Sequence, residues 1–246
     1  MRLFIITFLF FKIFSPVYAN TIYYLTKIPN LEIYDLTASN GIKYLKAEKS
    51  FRVGFRENNV QCGKTTENSI KKKFDLIKKN FNKYDKKFLE KINLKYVVLC
   101  ENLKVAEIKT AGVPNHELKT LIVDIKFDER YFERSMHHEL FHMIEASYKN
   151  LFSYKEWEKY NNKKFKYAKC STCTNKLDLS LINNTKGFLT EYSMSTASED
   201  MAEIFSFLMI KNKKLENIIL NDPVLYKKTL FLKNEVLKID DNYKFN

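Results

Sequence analysis

The sequence predicts one α+β domain. Short runs rich in β-branched and aromatic residues fill the first part of the chain, and longer segments with apolar residues at helical spacing fill the rest. The length of 246 residues suits a single sizeable core and does not require two.

Taken in order, Met1 and Arg2 precede an apolar run from Leu3 to Phe11, then Lys12 and a second stretch ending in Val17-Tyr18-Ala19. This pattern predicts a signal peptide over 1–19 with cleavage after Ala19, leaving the domain as 20–246. The run is too short to span a bilayer comfortably, and no later stretch is apolar enough. The expectation is a secreted or periplasmic chain with no stable membrane insertion once the signal is removed.

Residues 20–60 form a β-rich part, with runs at Ile22–Leu25, Leu31–Tyr34, Ile42–Leu45 and Phe51–Phe55, and with Asn40-Gly41 as a hairpin signal. Thr65 or Thr66 caps a helix whose Ile70, Phe74, Ile77 and Phe81 make an apolar stripe. Lys95–Cys100 is expected as a central strand. Thr120–Ile125 is expected as a second strand at a sheet edge, beneath a loop holding Gly112, Pro114 and His116. A helix starting near Asp128 turns Phe132, Met136 and Leu140 to the core. The polar stretch 149–190 is an insertion in which Trp157, Phe165 and Tyr167 either line a cleft or pin the insertion down. Thr196 or Ser198 opens a further helix to about Lys211, and Asp222-Pro223 opens the last one.

Net charge is +13, falling to +11 without Arg2 and Lys12, because 1–19 holds no acidic residue. Only five of the basic residues are arginine, the side chain that phosphate forks and base readout favour, so nucleic acid is not an expected partner. Four cysteines in an exported chain point to two disulfides. Cys170 and Cys173 are close enough in sequence to pair locally, which leaves Cys62 to Cys100.

The chemistry is concentrated in Met136–Met143, where His138, Glu139 and His142 form H-E-x-x-H. Histidines four apart share one helix face, so two imidazoles can hold zinc while the carboxylate between them takes a proton from water. His137 points about a hundred degrees away on a helix and stays out of the metal group. The zinc class that extends this motif with Gly and a third His is excluded by Glu145 and Tyr148. With His116 the one other histidine, the third ligand is expected to be a carboxylate or a thiolate. Glu199 and Glu203 sit four apart with the small Ala202 between them, which would let their helix approach the histidine helix. Those carboxylates could equally be a solvated acidic patch, or Glu199 could close a capping box with Thr196. Asp200 is expected to face solvent or the helix N-terminus.

Tyr192 lies seven residues before Glu199, and Glu199–Glu203 reads E-x-x-A-E. With H-E-x-x-H, this resembles the gluzincin zinc metalloproteases of the anthrax lethal factor and Pro-Pro endopeptidase type, and also a set of uncharacterised bacterial zinc metallopeptidases. The resemblance covers roughly 112–208. It implies a zincin-like domain, with a small mixed sheet whose edge strand lies beside the active-site helix. It also implies that His138, His142 and Glu199 hold one Zn²⁺ per chain, that Glu139 is the general base, that Tyr192 steadies the oxyanion and that Glu203 braces a ligand. The 57 positions from His142 to Glu199 and the close cysteines depart from that pattern. The expected activity is zinc-dependent hydrolysis of a protein or peptide substrate by a monomer. The rivals are a non-catalytic binding module on the same fold and a thiol-disulfide protein using Cys170 and Cys173.

Overall fold

One long strand, β5 (Tyr96–Val105), organises the sheet of the computed structural model. The structure describes residues 30–54, 59–182, 184, 186–210 and 213–245; the expected signal peptide over 1–19 and the run Ile22–Leu25 lie outside them. The first half of β5 pairs in parallel with β2 (Lys43–Ala47) on one side and β8 (Thr120–Asp124) on the other. Its second half pairs antiparallel with β4 (Val60–Gly63) and β6 (Ile108–Lys109). Hairpins complete the sheet: β1 (Leu31–Asp35) lies on β2, β3 (Phe51–Val53) on β4 and β7 (Gly112–Asn115) on β8.

The twofold period of strand side chains divides the interior. Val97, Leu99, Leu121 and Val123 face the helices and join the main core. Tyr96, Val98 and Cys100 face the other way and pack with Leu45, Cys62 and Leu103. The Cys62–Cys100 disulfide lies in this second cluster, with Cα atoms 5.4 Å apart. The other disulfide, Cys170–Cys173, has its Cα atoms 5.1 Å apart, so both pairs are those the sequence suggested.

Seven helices are described. These are α1 (Glu67–Phe81), α2 (Lys86–Lys91), α3 (Glu129–Ser147), α4 (Tyr154–Glu158), α5 (Ala197–Met209), α6 (Lys213–Asn221) and α7 (Pro223–Ile239). Capping side chains set their starts: Thr66 accepts from Ser69 N–H, Asp128 from Arg130 N–H, Thr196 from Glu199 N–H, and Asp222 from Val224 and Leu225 N–H. Along α3, Phe132, Met136 and Leu140 are buried as their spacing requires. Helix α5 is buried at almost every position, which marks it as the central helix. Among the described residues no helix is long and apolar enough to cross a membrane.

Two sequence expectations need correction. Thr120–Ile125 is not a sheet edge, because β8 is bonded on both sides, and the segment read as a loop supplies the edge as β7. Pro114 disguised that strand: proline cannot donate to a ladder and is tolerated only where the strand has a free side. Asp200 does not face solvent. It is fully buried, and its Oδ2 accepts from Trp157 Nε1, the Tyr167 hydroxyl and Lys228 Nζ at 2.9, 2.6 and 2.7 Å. The same contacts decide the role of the aromatics. Trp157 is fully buried and Phe165 packs on Tyr167 and Phe188, so these rings help pin the 149–190 insertion, and none of the three lines the cleft beside Glu139.

Candidate metal centre

The burial of the apolar stripe of α3 turns His138 and His142 towards α5, and the fully buried Ala202 lets the two helices pack closely. Thr196 takes the Glu199 N–H at 3.2 Å, so the cap uses the backbone of Glu199 and leaves its carboxylate for the histidines. Glu199 Oε2 lies 2.9 Å from His138 Nε2 and 3.3 Å from His142 Nε2, and the two imidazole nitrogens are 3.3 Å apart. Donors on a tetrahedron of ~2.0–2.1 Å bonds are separated by about 3.3 Å. Two imidazoles and one carboxylate at that spacing fit Zn²⁺, and these three are the group among the described residues that can hold a metal ion.

The outer nitrogens of both histidines are engaged. His138 donates from Nδ1 to Glu203 Oε1 at 2.9 Å, and the other carboxylate oxygen of Glu203 accepts from Arg134 and from the Thr190 hydroxyl. Arg134 also donates to Leu179 O at 2.8 Å, tying this chain of contacts to the insertion. His142 Nδ1 lies 3.4 Å from Glu145 Oε2 and 3.3 Å from Ser198 Oγ, and Ser198 donates to Glu145 at 2.6 Å. Each arrangement gives Nδ1 an acceptor for its proton, which would leave Nε2, now facing Glu199, as the nitrogen to bind a metal. His137 is buried elsewhere, donating to Asn80 Oδ1 and accepting from Tyr84, and burial holds it neutral.

The charges are strongly coupled. Burial alone would lower the pKa of His138, but Glu199 and Glu203 outweigh it and lift it to about 9. Burial likewise opposes the charge on Glu199, yet hydrogen bonds from both histidines hold its carboxyl well below the usual range. Burial raises Glu139 to about 7, with His138 and His142 pulling the other way. Four carboxylates around two imidazoles make a setting that favours a bound cation.

Glu139 and Tyr192 line the same cleft of 730 Å³, which runs from β6 and β7 past α3 to the insertion. Strand β7 comes so close to α3 that a Cβ on Gly112 would sit 2.7 Å from Glu139 Cγ and 2.9 Å from Ile122 O, so only glycine fits there. Tyr192 sits in a short 3₁₀ turn with its ring centroid 5.8 Å from that of His138. Burial, then Glu199 and Glu139, keep its hydroxyl protonated far above neutral pH. Sequence reasoning missed Arg134, Glu145 and Ser198. Arg134 precedes His138 by one helical turn and Glu145 follows His142 by three residues, and those offsets were the available signal.

A family model described as "Putative zinc-binding metallo-peptidase" matches residues 84–236. Among solved structures, the crystal structure of a putative zinc-binding metallo-peptidase from Bacteroides caccae is similar in fold, with a TM-score of 0.51 and 16% sequence identity. That match covers 84% of this chain and 82% of the other. No curated protein matches the sequence.

Proposed function

The chain belongs to this family of zinc-binding metallo-peptidases, and from that premise we propose that it is an exported, monomeric zinc endopeptidase with one Zn²⁺ per chain, of the gluzincin type that includes anthrax lethal factor. His138, His142 and Glu199 are the ligands. Bound there, zinc supplies a Lewis acid that polarises the scissile carbonyl and acidifies water. Glu139 takes the proton of the attacking water and passes it to the leaving amine, a task suited to a carboxyl whose pKa stands near neutrality. Tyr192 donates its hydroxyl to the oxygen on which negative charge develops. Glu203 holds His138 in its ligand tautomer, and Glu145 with Ser198 does the same for His142.

The observation that carries this reading is the convergence of three ligand atoms within about 3.3 Å of one another, with Glu139 beside them in an open cleft. An extended peptide can lie along β7, whose outer side has no strand partner among the described residues. The two disulfides support export, since such bonds persist in oxidising compartments. The domain is then 20–246, with 1–19 removed as a signal.

The test is Glu139→Gln in purified protein. Zinc content by elemental analysis should match wild type, while cleavage of a peptide library falls by about three orders of magnitude or more. Full cleavage by that variant would remove Glu139 as the base, and a wild type that binds zinc but cuts nothing would favour the binding module.

A further inference from the structure

Nothing in the reaction just described uses Cys170 and Cys173, yet their disulfide closes a loop that leans on Tyr192. The two residues inside the loop, Ser171 and Thr172, line the cleft that holds Glu139 and Tyr192. Both flanks of the loop are tied to the turn bearing the tyrosine. On one side Ala168 N–H donates to Ser195 O at 2.9 Å, and on the other Tyr192 N–H donates to Asp178 O at 3.1 Å. Ser171 and Tyr192 both line this cleft. Between these ties the segment has no helix or strand, and one turn bond, from Cys173 N–H to Cys170 O at 3.1 Å, closes the loop besides the disulfide.

We propose that the Cys170–Cys173 loop is a disulfide-locked clamp in which Ser171 is a positioning residue for the Tyr192 hydroxyl, so that reducing this one bond lowers turnover. The loop closure limits the conformations of a segment that would otherwise wander, and a hydroxyl that acts on the transition state needs a fixed direction. The two disulfides differ in access. Cys62 and Cys100 are buried, whereas Cys173 is exposed and Cys170 partly so. A small dithiol therefore reaches the loop first. In that exchange the S–S bond breaks, Cys170 and Cys173 leave as two thiols, and the dithiol becomes its own disulfide, having supplied two electrons and two protons. The inference rests on the role proposed for Tyr192.

The experiment uses zinc-loaded mature protein, with Cys170→Ser/Cys173→Ser, Ser171→Ala and Ser171→Thr as variants. Amide exchange of the peptide spanning 190–195 is read by mass spectrometry, and kcat and KM are measured on a cleaved peptide. The double variant should exchange faster over 190–195, with the β5 amides unchanged, and should lose about tenfold in kcat with KM and zinc content kept. Ser171→Ala should lose kcat alike, Ser171→Thr should restore it, and a dithiol should slow wild type but not the double variant. Unchanged exchange over 190–195 and unchanged kcat in the double variant would overturn the clamp. A wild type that cleaves nothing, yet shows the exchange difference, would instead overturn the peptidase reading and leave the mechanical link between loop and turn standing.

Discussion

Lys228 on α7 meets Asp200 on α5 at 2.7 Å, and neither side chain is exposed. Burial raises the pKa of the acid and lowers that of the lysine, while their mutual attraction and the donors from Trp157 and Tyr167 act against it. One carboxylate oxygen gathers all three donors and the other has no partner among the described residues. The pair therefore joins the last helix, the insertion and the first turn of α5 at a point next to Glu199. Lys228→Met should cost about 3–5 kcal/mol in urea unfolding, because it leaves a carboxylate buried against neutral donors. Adding Asp200→Asn should recover about half of that loss, and a double variant no better than the single one would show that charge is not the cause.

The partners behind the histidines give a second expectation. Glu203→Gln keeps the shape but weakens the hold on His138 and leaves Arg134 without its carboxylate. Zinc affinity, measured by chelator competition, should fall about 10–100-fold. Glu145→Gln should have a smaller effect, since its 3.4 Å contact to His142 is shared with Ser198. Equal affinity in Glu203→Gln and wild type would leave Glu203 with a packing role only.

The candidate metal group was legible in the sequence because its parts are local: H-E-x-x-H and E-x-x-A-E each place their side chains on one helix face, and helical period alone brings His138 to His142 or Glu199 to Glu203. The Asp222 cap was legible for the same reason, and the caps at Thr66, Asp128 and Thr196 to within a residue or two. What sequence reasoning misplaced depends on distant partners. Asp200 reads as a solvated acid until Lys228, 28 residues on, arrives beside it. Strand β7 reads as a loop until β8 supplies its ladder. The aromatics of the insertion could have served a cleft or a core; the bond to Asp200 places Trp157 in the core, and Phe165 and Tyr167 stay half-buried away from Glu139.

Those aromatics lead to a contrast between two positions of the insertion. Trp157 is fully buried with its indole N–H on Asp200, so Trp157→Ala should destabilise the fold by about 3–5 kcal/mol and leave cleavage preference unchanged in the folded fraction. Leu177 is 53% exposed and lines the cleft, so Leu177→Ala should leave stability within about 0.5 kcal/mol and alter the preferred side chains in a peptide-library profile. The reverse pattern would return Leu177 to the surface and make Trp157 a determinant of specificity.

Acid stability offers a test away from the metal. Asp35 ends β1, accepts from Thr37 and pairs with Lys78 of α1 at 2.9 Å, joining the β-rich part to the first helix. Hydrogen bonds from Thr37 and Lys78 lower its pKa from 3.8 to about 2. Because the folded value lies below the unfolded one, the unfolded chain takes up the proton first as the solution is acidified. The stabilisation is therefore complete above about pH 4 and disappears as the pH falls through about 2. Asp35→Asn removes it at every pH. After discounting for solvent screening, the variant should be about 1 kcal/mol less stable than wild type at pH 6, by urea unfolding. The gap should narrow at pH 3 and close near pH 2, and a gap that stays constant across this range would show that Asp35 contributes through geometry and not through its charge.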